Sequence, residues 1–195
     1  MKTQETSVKI LSIAREILAS DGFGAISFDA IAQRLGRSKQ AVLYWYPTKR
    51  DLLNAMFLPW LSAEAEAAED AVSDVVNETD AITAFIRAVA AFHFQDLDRF
   101  RMMYLIPQTI TRKSNSRGKV VAGENLYEIT DRLYGALADH LEGGREDTRK
   151  RAVAIHSAVL GIVLMFALAD ALVDPLKHSE TALIDTLIKS FTTTG

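Results

Sequence analysis

Apolar residues recur along most of this chain at intervals of three and four, the period of a helix with one buried face. Between Ser7 and Ser20, Ile10, Ile13, Ala14, Ile17 and Leu18 share such a face, and Gly22 and Gly24 end the run. Phe28, Ile31, Ala32 and Leu35 mark a second, short helix whose other side carries Asp29, Gln33 and Arg34. Ser27 stands where a hydroxyl can cap its start, Gly36 where a left-handed residue can close it, and Ser38 where a third helix would be capped in turn. The pattern therefore predicts two helices joined by the turn Gly36-Arg37-Ser38. In the second of them Ala41, Val42 and Trp45 or Tyr46 can face inward, which leaves Lys39, Gln40, Leu43 and Tyr44 on the outside.

Further helices follow. Leu52, Leu53, Met56, Phe57, Trp60 and Leu61 start a long one after Lys49 that extends to about Val76, with a kink expected at Pro59. Thr79–Gln108 reads as one or two helices rich in aromatics and Met, and Thr111–Lys119, polar with four cations, as a solvated loop. Helices of about Val120–Leu141 and Glu146–Val173 come next, the latter stopped by Asp174-Pro175, and the last spans about Glu180–Thr192. There is no internal repeat and no predicted strand, so the fold class is all-α.

Ala152–Ala169 lacks Asp, Glu, Lys and Arg and has the length of a membrane span. Yet His156, Ser157 and Gly161 interrupt it, Arg149, Lys150 and Arg151 precede it, and Asp170 follows. A helix apolar all round is more simply buried on both sides, by its own domain and by a second copy. A two-fold dimer through the last two helices is the natural expectation, with no membrane involved.

Composition narrows the chemistry. The 195 residues are 49% apolar, enough for a packed core, and contain no Cys, which removes disulfides, thiolate metal sites and cysteine nucleophiles and suits a reducing cytoplasm. Met1–Ser20 does not read as a signal peptide. The net charge of −3 hides an asymmetry: residues 1–50 carry eight basic and four acidic side chains, and the remainder is acidic. A basic end on an acidic body orients the molecule on phosphate. The outer face of the third helix fits that partner, because Gln can bond adenine, Lys guanine, and apolar groups the thymine methyl in a major groove.

At these residues the chain resembles the TetR family of bacterial transcriptional regulators. That family's pattern is a Thr before an Ile-Ala pair, then Gly-Val-Ser, an aromatic pair and a Lys; here Ser27, Ile31-Ala32, Gly36-Arg37-Ser38, Trp45-Tyr46 and Lys49 occupy those places. Three positions depart from it. Arg37 stands for a small apolar residue, Gln40 for a frequent Gly, and Leu43 for a Tyr that often contacts phosphate. The resemblance implies a three-helix helix-turn-helix domain over residues 1–48 and a helical effector-binding and dimerisation domain over 49–195. It places Lys39, Gln40 and Tyr44 at base edges, Ser27, Ser38, Trp45 and Lys49 at phosphates, and adds Arg37 to the DNA-binding set.

The resemblance also implies an effector pocket among the middle helices. Phe92, Phe94, Phe100, Met103, Tyr104, Tyr127, Met165 and Phe166 are candidates for its apolar wall, with His93, Gln95 and His156 as polar groups. The four His residues lack metal-site spacing, and no phosphate loop, nucleophile elbow or cofactor motif is present, so neither an enzyme nor a metal or cofactor is expected. The function expected is that of a cytoplasmic, homodimeric repressor released from a palindromic DNA operator by a small, largely apolar effector. The alternative is a helical dimer that binds an apolar ligand or a protein partner without reading DNA.

Overall fold

The computed structural model describes residues 2–105, 121–172 and 178–193, all of them helical or in short connections. The expected loop Thr111–Lys119 and the stop at Asp174-Pro175 lie outside the described residues. The chain divides into two compact units, one built from Met1–Pro59 and the other mainly from Trp60 onward.

In the first unit, α1 (Lys2–Asp21) is followed by a 3-10 turn (Phe23–Ala25), α2 (Phe28–Leu35), α3 (Lys39–Trp45) and the start of α4 (Lys49–Val72). Its buried residues follow the sequence pattern closely: Ile10, Ala14, Ile17 and Leu18 of α1, Ile31 and Ala32 of α2, Val42 of α3, and Leu52, Leu53, Met56 and Phe57 of α4. Helix α4 opens with a reciprocal cap. Asp51 accepts from the Thr48 backbone N–H at 3.0 Å, and the Thr48 hydroxyl accepts from the Asp51 N–H at 3.1 Å. The helix then continues through Pro59, which lacks the N–H an interior residue donates to the preceding turn, and ends at Val72 rather than Val76.

The second unit holds the remainder of α4 together with α5 (Glu78–Phe94), α6 (Leu97–Phe100), a π-helical turn (Arg101–Leu105), α7 (Val121–Ala138), α8 (Arg145–Leu172) and α9 (Glu180–Thr192). Helix α5 is its centre, packed on both α8 and α9. Ala81, Ile82, Phe85, Ile86, Val89, Ala90 and His93 form one buried stripe along it. Asn77 caps α5, accepting from the Asp80 N–H at 2.9 Å, and Ser179 caps α9 by accepting from Ala182 at 3.2 Å.

Helix α8 is long and apolar enough by composition to cross a membrane. Here Ala152, Ile155, Val159, Val163 and Ala167 on one side of it join the core cluster of the second unit. Its other side, with Val153, Met165 and Leu168, is exposed in the single chain.

Candidate nucleic-acid interface and a buried polar network

The candidate surface is set by local caps. Ser27 is extended (φ −141°) and its Oγ accepts from the Ala30 N–H at 3.1 Å, so α2 begins at Phe28. Gly36 closes that helix at φ +67°, a conformation that disfavours any residue with a Cβ. Ser38 then accepts from the Ala41 N–H at 3.3 Å and starts α3. Each cap uses an oxygen lone pair, so both hydroxyl protons stay available for an acceptor such as a phosphate oxygen.

Helix α3 is anchored by Val42 and Tyr46, both buried, while Ala41 and Trp45 are half-buried. Of the inward alternatives the chain uses Tyr46, whose hydroxyl donates to the Ser7 carbonyl of α1 at 3.4 Å. Trp45 instead meets Tyr44 edge to face, with ring centroids 5.4 Å apart. Lys39, Gln40 and Tyr44 are exposed, Tyr44 at 77%, and Leu43 is half-buried. Arg37 is exposed in the turn. The Lys49 ammonium lies 4.9 Å from the centre of the Phe23 ring, a placement that steadies it without neutralising its charge. Ser27, Asp29, Lys39 and Lys49 meet at one concavity of about 210 Å³, together with Ile26, Phe28 and Leu52. Residues far apart in the sequence thus form a continuous polar, cationic surface around the start of the exposed helix.

A second cluster lies deep in the other unit. Glu64 of α4 is fully buried, and its Oε1 is 2.9 Å from His93 Nε2 and 2.8 Å from His156 Nε2. Its Oε2 accepts from the Tyr104 hydroxyl at 2.7 Å. Both imidazoles serve as donors when the proton is on Nε2, and three donors then satisfy one carboxylate. Burial pushes the Glu64 carboxyl up, but the bonds from His156 and His93 and the attraction of the imidazoles outweigh it and hold the pKa at about 2. Tyr104 is shifted upward by burial, by the Glu64 charge and by the bond to Glu64. Tyr134 is shifted upward by burial and the same charge, against Arg149.

His93 Nδ1 is buried and has no hydrogen-bond partner among the described residues. Phe92, Phe100 and Tyr104 surround the His93 ring, all with centroids within 5.5 Å. Tyr104 comes from the π-helical turn, a rare geometry that frequently marks a functional site. Among the described residues no group of three or more His, Asp or Glu side chains is disposed to hold a metal ion.

The candidate effector residues separate into three groups. His93, His156, Phe92, Phe100 and Tyr104 come together around Glu64, and Met103 is buried. Phe94 and Phe166 pair edge to face at 5.3 Å. Tyr127 and Met165, by contrast, are 67% and 53% exposed and wall no interior space among the described residues, and Gln95 is exposed. The reason is helical phase: α7 buries Leu133 and Leu137, and α8 buries the stripe from Ala152 to Ala167, which turns Tyr127 and Met165 outward.

Glu64 was absent from the sequence candidates. A signal for it exists, since Phe57, Leu61, Ala65, Ala68 and Val72 repeat at helical spacing and Glu64 falls in that register, one turn after Leu61. A lone carboxylate on a core stripe needs a buried partner.

Residues 10–56 match the family model of bacterial regulatory proteins, tetR family. No curated protein matches the chain. Among solved structures, a bacterial regulatory protein in the tetR family from Rhodococcus RHA1 superposes with a TM-score of 0.65 at 18% identity, covering 94% of this chain and 95% of that one. The multidrug binding protein EbrR, complexed with imidazole, gives 0.67 at 18% identity over 94% and 93%. The transcriptional regulator FadR from Bacillus subtilis, in complex with stearoyl-CoA, gives 0.66 at 17% identity over 95% and 97%. At these identities the superpositions show the fold, and the family-model match lies in residues 10–56. The N-terminal segment, residues 10–56, thus matches the TetR family of bacterial regulatory proteins, and the chain shares the fold of these solved structures.

Proposed function

We propose that this protein is a homodimeric, ligand-responsive transcriptional repressor that reads a palindromic operator through α3. The observation that carries the reading is the capped Ser27–Lys49 segment, which leaves Lys39, Gln40 and Tyr44 exposed on one short helix beside the hydroxyls of Ser27 and Ser38. Lys39, Gln40 and Tyr44 address base edges; Ser27, Arg37, Ser38, Trp45 and Lys49 address the backbone. Its place of work is the chromosome, hence the bacterial cytoplasm, and its role is regulatory rather than enzymatic.

The dimer forms through α8 and α9. Val153, Met165 and Leu168 of α8 and Phe191 of α9 are large apolar residues left exposed on these helices, and a second copy related by a two-fold axis would cover them. Two heads related in this way require half-sites about one helical turn apart.

The effector binds in the second unit, around the aromatic residues and the Glu64 network. A bound ligand is described for two proteins of this fold, imidazole for EbrR and stearoyl-CoA for FadR, which supports a ligand-binding role for this chain. Binding favours a dimer whose heads no longer match the operator spacing and so releases it.

Selection of bound duplexes from a random pool, at near-physiological salt to suppress non-specific phosphate binding, tests the reading. It predicts recovery of a palindrome. Recovery of nothing above background by folded protein free of a co-purified ligand would overturn it in favour of a dimer that does not read DNA.

A further inference from the structure

We propose that Asp29 is a specificity-determining residue of the reading head, holding the Lys39 ammonium toward a base edge and away from the phosphate backbone. The inference rests on the DNA-reading proposal and goes beyond it by assigning a role to an acidic residue on a surface that binds an anion. Asp29 lies in the first turn of α2 and Lys39 is the first residue of α3, yet Gly36 folds the chain so that Lys39 Nζ is 2.8 Å from Asp29 Oδ2. Both side chains are open to solvent, Lys39 at 50% and Asp29 at 72%. The pair borders the same concavity as Ser27 and Lys49.

Three physical facts give the pair its meaning. A cation in the first turn of a helix meets the positive end of the helix dipole, so nothing in α3 alone favours Lys39 there, and the Asp29 carboxylate offsets that repulsion. An ammonium has three donors; Asp29 engages one and leaves two for the O6 and N7 acceptors of a guanine. Were Lys39 to swing to a phosphate, it would abandon Asp29 beside a backbone of like charge, whereas a base contact keeps the pair together. Lys49 provides the contrast. It rests on the Phe23 ring and has no carboxylate partner among the described residues, which suits a phosphate contact.

The test compares the wild type, Asp29→Asn, Lys39→Gln and the double variant on the selected operator, on operators changed at single positions and on a non-specific duplex. Affinity is measured across a range of salt, with thermal unfolding to confirm that each variant is folded. Asp29→Asn is expected to bind the non-specific duplex several-fold more tightly and to steepen the salt dependence by about one released ion, as a freed Lys39 finds a phosphate. The preference at one base pair should fall about tenfold, Lys39→Gln should lose preference at that same pair, and the double variant should match Lys39→Gln. An unchanged salt slope and base preference in Asp29→Asn would overturn the inference while leaving the DNA-reading proposal intact. Loss of the preference in Asp29→Asn but not in Lys39→Gln would also overturn it, because Asp29 would then be contacting the base itself. A wild-type protein with no sequence preference would overturn both.

Discussion

Replacing Glu64 by Leu should be among the most damaging single changes to the second unit. The substitution introduces an apolar side chain on the buried stripe of α4 but removes the acceptor for three donors: His93 Nε2, His156 Nε2 and the Tyr104 hydroxyl. Each buried donor left unpaired costs about 1–3 kcal/mol, and the loss is offset in part because a buried carboxylate no longer has to be desolvated. Removing one partner of a buried charged network typically costs about 3–5 kcal/mol, and a value near 4 is expected here. With a urea dependence of about 2 kcal/mol per M, the unfolding midpoint would fall by about 2 M at fixed protein concentration. Glu64→Gln retains an acceptor oxygen for the imidazoles and should lose roughly half as much.

The pH dependence gives a second check on the same claim. The folded carboxyl is held at about 2, below its ordinary value of 4.5, so the folded state favours the ionised form. Its stabilisation is complete above pH 4.5 and is lost as pH falls toward 2, a loss of about 3 kcal/mol by linkage. The gap between wild type and Glu64→Leu should therefore narrow on acidification. If Glu64→Leu proved as stable as the wild type at neutral pH, the carboxylate would not be the organising acceptor and the reasoning would fail.

Other predictions concern the reading head and the α8 surface. Gly36→Ala meets no atom within 4 Å, so its cost is backbone strain alone, about 1–2 kcal/mol in thermal unfolding of the first unit. Lys49→Ala should weaken binding to specific and non-specific duplexes alike and flatten the salt dependence by about 0.9 in slope, as one phosphate contact is lost. Met165→Lys, at an exposed position of α8, should leave helix content unchanged but weaken self-association by roughly tenfold or more in sedimentation, because a charge would be buried against the second copy. A variant that dimerises normally would move the proposed interface elsewhere.

The reading head was legible because its instructions are local. Ser27, Gly36 and Ser38 act within a turn of their own positions, and each was found in the cap expected of it. The alternation of Ile10, Ala14 and Ile17 likewise assigned the buried face of α1 without knowledge of its neighbours. The second unit was less legible, since its polar centre joins residues separated by 29, 40 and 92 positions. His93 and His156 were visible as polar interruptions of apolar helices, but Glu64 was hidden in an Ala- and Glu-rich run that also suits an exposed surface. Helix α8 shows the limit of periodicity. When every face is apolar, the pattern cannot tell that Val163 is buried and Met165 is not. The Thr79–Gln108 run predicted one or two helices but did not place the break at Gln95–Asp96, where Asp96 accepts from the Arg99 N–H at 2.8 Å and starts α6 afresh.

The central claim is that two copies of α3 read two half-sites at a fixed separation. Its most direct test is the affinity of the purified protein for the selected palindrome and for a duplex with about five base pairs, half a helical turn, inserted between the half-sites. The insertion rotates one half-site to the far side of the DNA, and affinity should fall about a hundredfold or more, toward the non-specific level. Equal affinity for both duplexes would contradict a rigidly spaced dimer and, with it, the proposed mode of recognition.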